Sequence, residues 1–174
     1  LIQVSAVHFK DSQEIAAFDS YVYTEAPLKS FINGLTGITA QTLKDAPIVE
    51  QVLEDFQTFI GDFPIIGYNA AKSDLPILKE HGFDYTSQYM VDVYNEAFER
   101  RSTDLHGISN LKLQTVAKFL GYSGQSHNSL EDARMTARVY ESFLEFDESK
   151  LLLEGQSSLN SNPFSGLDLS QFLK

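Results

Sequence analysis

The chain opens on near-alternating apolar positions. Ile2, Val4, Ala6 or Val7, and Phe9 predict a strand over Leu1–Phe9. Lys10–Glu14 is polar and turn-like. Ile15–Thr24 carries Phe18, Tyr21, Val22 and Tyr23 and predicts a second strand, paired with the first as a hairpin. Glu25–Thr39 has no clear period, contains Pro27, Gly34 and Gly37, and reads as a loop with a short helical turn. A helix is expected over Ala46–Ile60, with Pro47 in its first turn and Asp45 as a candidate cap. Val49, Val52, Leu53, Phe56, Phe59 and Ile60 fall on one face of it.

Beyond that helix the period switches repeatedly. Pro64–Tyr68 predicts a short apolar strand. Ser73–His81 predicts a helix that tolerates Pro76 in its first turn and stops at Gly82. Tyr89–Val93 reads as a strand continuing into a polar helix through Glu99. Ser109–Leu120 predicts a helix with Leu113, Val116, Ala117 and Leu120 on one side. The last strong helix is expected over Ser129–Phe146, with Ala133, Ala137, Tyr140, Phe143 and Leu144 as its apolar positions. Ser129 and Asp132 give it a capping-box-like start. Paired strands followed by alternating strands and helices predict an α/β fold, a mixed sheet covered by helices. Residues 1–150 form one domain in this reading, and residues 151–174 a linker and C-terminal tail. Gly155–Ser165 is rich in Ser, Asn and Gly.

Composition narrows the function. The 174 residues are 43% hydrophobic and 21% charged, ordinary usage for a folded soluble domain. No apolar run approaches the ~18–20 residues of a membrane helix, and no basic segment precedes the first apolar residues. With no cysteine, disulfides, thiolate metal sites and cysteine nucleophiles are excluded. That absence suits a reducing, cytoplasmic location. Lys and Arg number 13 against 24 Asp and Glu, a formal net charge of −11. Such a balance opposes broad electrostatic capture of duplex nucleic acid. It does not oppose a site that holds a few nucleotides through divalent cations, for which carboxylates are the natural ligands.

Chemistry must then come from carboxylates, histidines or hydroxyls. Gly67-Tyr68-Asn69-Ala70-Ala71-Lys72-Ser73-Asp74 follows an apolar strand and puts Asp74 at a helix start beside the strand's carboxyl end, where α/β sheets place their sites. Taken alone, an Asp in a first helical turn is favoured by the macrodipole without any function. In Ser126-His127-Asn128-Ser129-Leu130-Glu131-Asp132-Ala133, a loop histidine precedes a helix whose first turn or so carries Asp132. A carboxylate on a rigid helix can hold a cation, and a histidine near its ordinary pKa can act as general base on water. A surface histidine beside a capping Asp is the plainer alternative. His8, His81 and His106 have weaker settings and read as structural.

Together these segments resemble the DEDDh (DnaQ-like) 3′–5′ exonucleases, nearest to the bacterial DNA polymerase III epsilon-type and PolC-type proofreading branch. Asn69–Asp74 is similar to the family's second motif, and His127–Ala133 to its third, H-x-x-x-x-D-A. Leu35-Thr36-Gly37-Ile38-Thr39 matches the segment before its first helix, and Asn110–Ala117 its N-x-K-L-x-T-x-A helix. The resemblance runs from Leu1 to about Phe146. It implies a ribonuclease-H-like fold and a pair of Mg²⁺ or Mn²⁺ ions about 3.5–4 Å apart around the scissile phosphate. It makes Asp74 and Asp132 metal-binding acids and His127 the general base. Asn69 supports the second motif, Leu35 and Thr36 meet the terminal nucleotide, and Asp92 is an acid behind the metal ligands.

The family's first motif, D-x-E, occurs nowhere in the sequence. The family's pattern starts here at its second strand, so the fold appears without its first, central strand. Loss of that strand would leave ladder groups unpaired at roughly 1–3 kcal/mol each. An upstream segment of roughly 15–20 residues, a strand and a turn, is therefore expected in the natural protein. Ser73 also departs from the large aromatic that many relatives carry before the Asp. The expected activity is metal-dependent 3′–5′ hydrolysis of single-stranded DNA ends, of proofreading type and linked to DNA polymerase III. The alternatives are an RNA-trimming relative and a non-catalytic module of the same fold. The tail Phe164–Lys174 reads as an unstructured end, with docking on a polymerase or sliding clamp as its alternative.

Overall fold

Strand β1 (Gln3–Lys10) pairs antiparallel with β2 (Gln13–Tyr21), from Gln3 opposite Tyr21 to Lys10 opposite Gln13, with a bulge between His8 and Phe9. The hairpin tip is Asp11-Ser12. Both residues have positive φ, 50° and 60°, as a two-residue turn matched to the strand twist requires. Beyond the ladder, the Val22 amide donates to Ile2 O and that of Tyr23 to Pro47 O. The hairpin expected from the alternating pattern is present. The computed structural model describes residues 1–124 and 128–160, with side chains to residue 154.

Glu25–Thr39, expected as a loop with a short helical turn, holds α1 (Ser30–Thr36), closed by Gly37 at φ 74°, and α2 (Ala40–Lys44) follows that segment. Thr39 caps α2, its hydroxyl accepting from the Thr42 amide. Helix α3 (Val49–Ile60) starts three residues later than its apolar period suggested. The Pro47 carbonyl is taken by the hairpin and Ile48 is extended, so Pro47 precedes the helix. Asp45 ends α2 instead of capping α3. The expected face is correct. Val52, Leu53, Phe56 and Ile60 are buried, and Val49 and Phe59 pack beside them.

Strand β3 (Ile65–Gly67) leads to α4 (Asp74–Glu80) and pairs in parallel with β4 (Met90–Asp92), which runs into α5 (Val93–Glu99) and a 3₁₀ turn (Arg100–Ser102). The mixed sheet is thus present as two separate ladders, and among the described residues no strand joins them. Both ladders nonetheless serve one core. Val4 of β1, Phe56 of α3, and Leu75 and Leu78 of α4 form a buried cluster against which Ile65 and Met90 pack. Each such side chain contributes on the order of 1.5–3 kcal/mol. His8 also packs, its ring stacked on Phe59 at 4.1 Å between centroids.

Helix α6 (Leu113–Phe119) begins four residues after the expected Ser109, because Asn110 Oδ1 accepts the Lys112 amide and holds that stretch in a turn. Helix α7 (Ser129–Asn160) continues well beyond Phe146 and through Gly155. Its cap is Asn128, whose Oδ1 accepts the Glu131 amide, not the Ser129–Asp132 box. The chain divides inside α7 into two compact units, Leu1–Ser142 and the part from Phe143. The buried positions of α7 are Met135, Thr136, Val139, Ser142 and Phe143, so Phe143 is buried as expected, while Ala133, Ala137 and Tyr140 are half-buried. Leu144 is exposed. Among the described residues no helix is long and apolar enough to cross a membrane. The tail Phe164–Lys174 lies outside the described residues.

An ion pair ties the start of α7 to the hairpin. Arg134 Nε and Nη2 donate to Glu14 Oε2 and Oε1 at 2.7 and 2.8 Å, and Nη1 reaches Glu131. These hydrogen bonds hold the Glu14 carboxyl below its ordinary range, against a lesser opposing desolvation. The lowered value means that the pair stabilises the fold above the unfolded carboxyl's pKa and ceases to do so as pH falls through the folded one. Glu14→Gln is expected to lower stability by up to about 1 kcal/mol at neutral pH. Thermal melts of both proteins from about pH 7 to about pH 3 should show that difference vanish at the acid end.

Candidate active site

The carboxyl end of β3 turns sharply before α4. A Cβ on Gly67 would collide with the Cβ of Ala70, so the turn demands glycine at its entry. Asn69 is left-handed, φ 57°, a conformation asparagine adopts at low cost. The Asn69 carbonyl accepts the Lys72 and Ser73 amides at 3.1 Å, and that of Ala70 accepts the Leu75 amide at 3.0 Å. The turn thereby delivers Asp74 into the first turn of α4, exposed to solvent. Ser73 Oγ lies 2.9 Å from Asn69 O and 2.6 Å from Asp74 Oδ2, and its one proton serves either.

Asp92 completes this turn from the neighbouring strand. Its Oδ1 accepts the Asn69 amide at 2.7 Å and the Tyr94 amide at 3.1 Å. One carboxylate oxygen therefore caps α5 and pins the residue that redirects the chain toward Asp74. Tyr68 packs edge-on against Tyr94 with ring centroids 6.0 Å apart. Its hydroxyl donates to Leu111 O at 2.7 Å. Burial pushes the Tyr68 phenol above its usual range, with Tyr94 and Asp92 adding to the shift, so it stays a neutral donor.

Leu111 lies directly before α6, and α6 carries Gln114. The Gln114 side-chain amide donates to Asp132 Oδ1 at 3.0 Å. Asp132 sits in the first turn of α7, half-buried, and its carbonyl accepts the buried Thr136 hydroxyl at 2.8 Å. Hydrogen bonds thus lead from Asp92 through Asn69 to the Asp74 turn, and from Tyr68 through α6 to Asp132. Leu35 and Thr36 sit at the end of α1, where Leu35 is exposed and the Thr36 hydroxyl bonds Ile32 O and the Ile38 amide. His127 lies outside the described residues. Gln114 was missed by sequence reasoning although it stands inside the N-x-K-L-x-T-x-A segment, because a bond between two helices leaves no period.

The family model described as Exonuclease (RNase_T) matches residues 1–140. The chain belongs to this exonuclease family. The exonuclease domain is 30% identical over 149 residues to the DNA polymerase III PolC-type of Caldanaerobacter subterraneus subsp. tengcongensis, spanning 83% of this chain and 10% of that protein. It is 25% identical to the PolC-type polymerase of Clostridium perfringens, spanning 98% of this chain and 12% of that protein. The chain thus spans about a tenth of the length of these relatives. The nuclease domain of 3′hExo, a DEDDh family member solved with rAMP, superposes with a TM-score of 0.69 at 20% identity, covering 83% of this chain and 80% of that one. Exonuclease X, solved with 5′-overhanging duplex DNA, gives 0.64 at 16% identity, covering 84% and 83%. The fold is that of the ribonuclease-H-like DEDDh exonucleases, as the motif order implied.

As oxygen donors, Asp74 and Asp132 suit a hard divalent cation such as Mg²⁺ or Mn²⁺. Among the described residues no group of three or more His, Cys, Asp or Glu side chains forms a metal-binding cluster. Each carboxylate has the donor chemistry for such an ion, and the two by themselves do not make up a full ligand set.

Asp92 offers a direct test of how the exonuclease site is built. Asp92→Ala strands two backbone donors and should destabilise the protein by roughly 1–3 kcal/mol. Asp92→Asn keeps an acceptor oxygen and should cost less, both read from urea denaturation midpoints.

Proposed function

We propose that this exonuclease domain removes nucleotides from the 3′ end of single-stranded DNA by divalent-metal-dependent hydrolysis, in the proofreading service of a DNA polymerase III. The bond between Gln114 and Asp132 is the observation that carries the reading. It holds the third-motif acid in a defined place on α7, while Asp92 independently fixes the turn that carries Asp74. Two divalent ions, Mg²⁺ or Mn²⁺, complete the site, with Asp74 and Asp132 among the residues that hold them. Such ions stabilise charge on the attacking and leaving oxygens of a phosphoryl displacement.

The remaining roles fall to the chain's own groups. His127 takes the proton as a water oxygen attacks phosphorus. The P–O3′ bond breaks, the departing 3′ oxygen is reprotonated, and a nucleoside 5′-monophosphate leaves a strand shortened by one residue. Leu35, exposed at the end of α1, lies against the terminal base, with Thr36 beside it. Asn69 and Asp92 keep the second-motif turn in shape. The net charge of −11 agrees with a protein that grips a strand end through cations instead of coating a duplex. DNA is favoured over RNA because the relative at 30% identity is a DNA polymerase.

Degradation of 3′-labelled single-stranded DNA in Mn²⁺ by the full-length protein tests this. His127→Ala and Asp132→Asn should each slow the laddering by roughly 10²–10⁴-fold. Laddering that persists unchanged in both variants overturns the mechanism. Faster trimming of a matched RNA strand assigns the domain to the RNA branch.

A further inference from the structure

A carboxylate that binds a cation must be presented in one orientation, and Asp132 is held from two directions. Its backbone is fixed by the Asn128 cap, whose carbonyl accepts the Asp132 amide at 2.9 Å, and by the buried Thr136 hydroxyl. Its side chain is met from another helix, by Gln114 Nε2 at 3.0 Å. We infer that Gln114 is a positioning residue, whose amide orients the Asp132 carboxylate for a divalent cation. The inference rests on the proposed metal-binding role of Asp132 and adds a residue to which no motif assigns a role.

The chemistry of the donor matters. An amide N–H fixes an oxygen without neutralising the carboxylate, whereas a Lys or Arg at this position would compete with the cation for the same charge. The placement of the donor is equally constrained. Gln114 is half-buried, α6 is anchored by the fully buried Val116 and Ala117, and its approach is tied down by the Tyr68 hydroxyl on Leu111 O. The Gln114 amide therefore comes from a rigid base. It also links the third-motif acid to the strand end that carries the second motif. Partners of this kind, lying behind a metal ligand, typically alter metal affinity 10–100-fold when removed.

Mn²⁺ binding to the full-length protein, followed by electron paramagnetic resonance of the free ion, reads the effect without turnover. Gln114→Leu and Gln114→Met remove the donor while keeping a side chain of similar size. Each should raise the Mn²⁺ dissociation constant about 10–100-fold. Raising Mn²⁺ should restore nuclease activity with the KM for DNA unchanged, and metal-free circular dichroism and melting should stay close to the parent's. Wild-type Mn²⁺ affinity in both variants, with loss in Asp132→Asn, overturns the role of Gln114 and leaves the metal reading standing. Undiminished affinity in Asp132→Asn, or no Mn²⁺ binding by the parent, overturns that reading and the inference with it. Loss of the metal-free fold in both variants assigns Gln114 a structural role instead.

Discussion

One carboxylate oxygen organises the region around the candidate site. Asp92 Oδ1 accepts two backbone amides from opposite sides, that of Asn69 in the turn after β3 and that of Tyr94 at the start of α5. An amide left unsatisfied in a partly buried turn is costly, and Asn69 is in addition held left-handed. The negative charge strengthens both bonds. Because β3 and β4 run parallel with Gly67 opposite Asp92, the acceptor is delivered beside the turn it stabilises. The position of Asp74 follows from that pairing.

From this fixed point the structure reaches the second acid through side chains instead of a sheet. Tyr68, next to Asn69, crosses to Leu111 with its hydroxyl, and three residues later Gln114 crosses to Asp132. Each bond spans a large separation in sequence, and each falls between elements that are independently packed. Val93 and Ala97 of α5, Val116 of α6 and Val139 of α7 are wholly or almost wholly buried, so the polar contacts are mounted on supports that do not give. The same principle acts at the outer end of α7's first turns, where Arg134 grips both oxygens of Glu14 on the hairpin. A bidentate guanidinium–carboxylate pair sets orientation as well as distance.

The abundance of acids is consistent with this arrangement. Asp74, Glu131 and Asp132 lie in the first turns of their helices, where the macrodipole lowers the cost of negative charge. Phe31 and Leu35 on α1 are exposed apolar residues.

Much of this was legible in the residues themselves. The hairpin, the apolar face of α3 and the short strands β3 and β4 follow from periodicity, a local property of a chain, and the exonuclease family from the resemblance of its motifs. The errors share a cause. Helix α3 starts late because Pro47 gives its carbonyl to Tyr23. Asn128, not Ser129, caps α7, and Met135 and Val139 are buried on it where the pattern pointed to Ala133 and Ala137. Gln114 meets Asp132 across 18 positions. A helix or strand repeats at intervals of a few residues and so writes itself into sequence. A bond between two packed elements repeats nowhere, and only the tertiary structure could decide it.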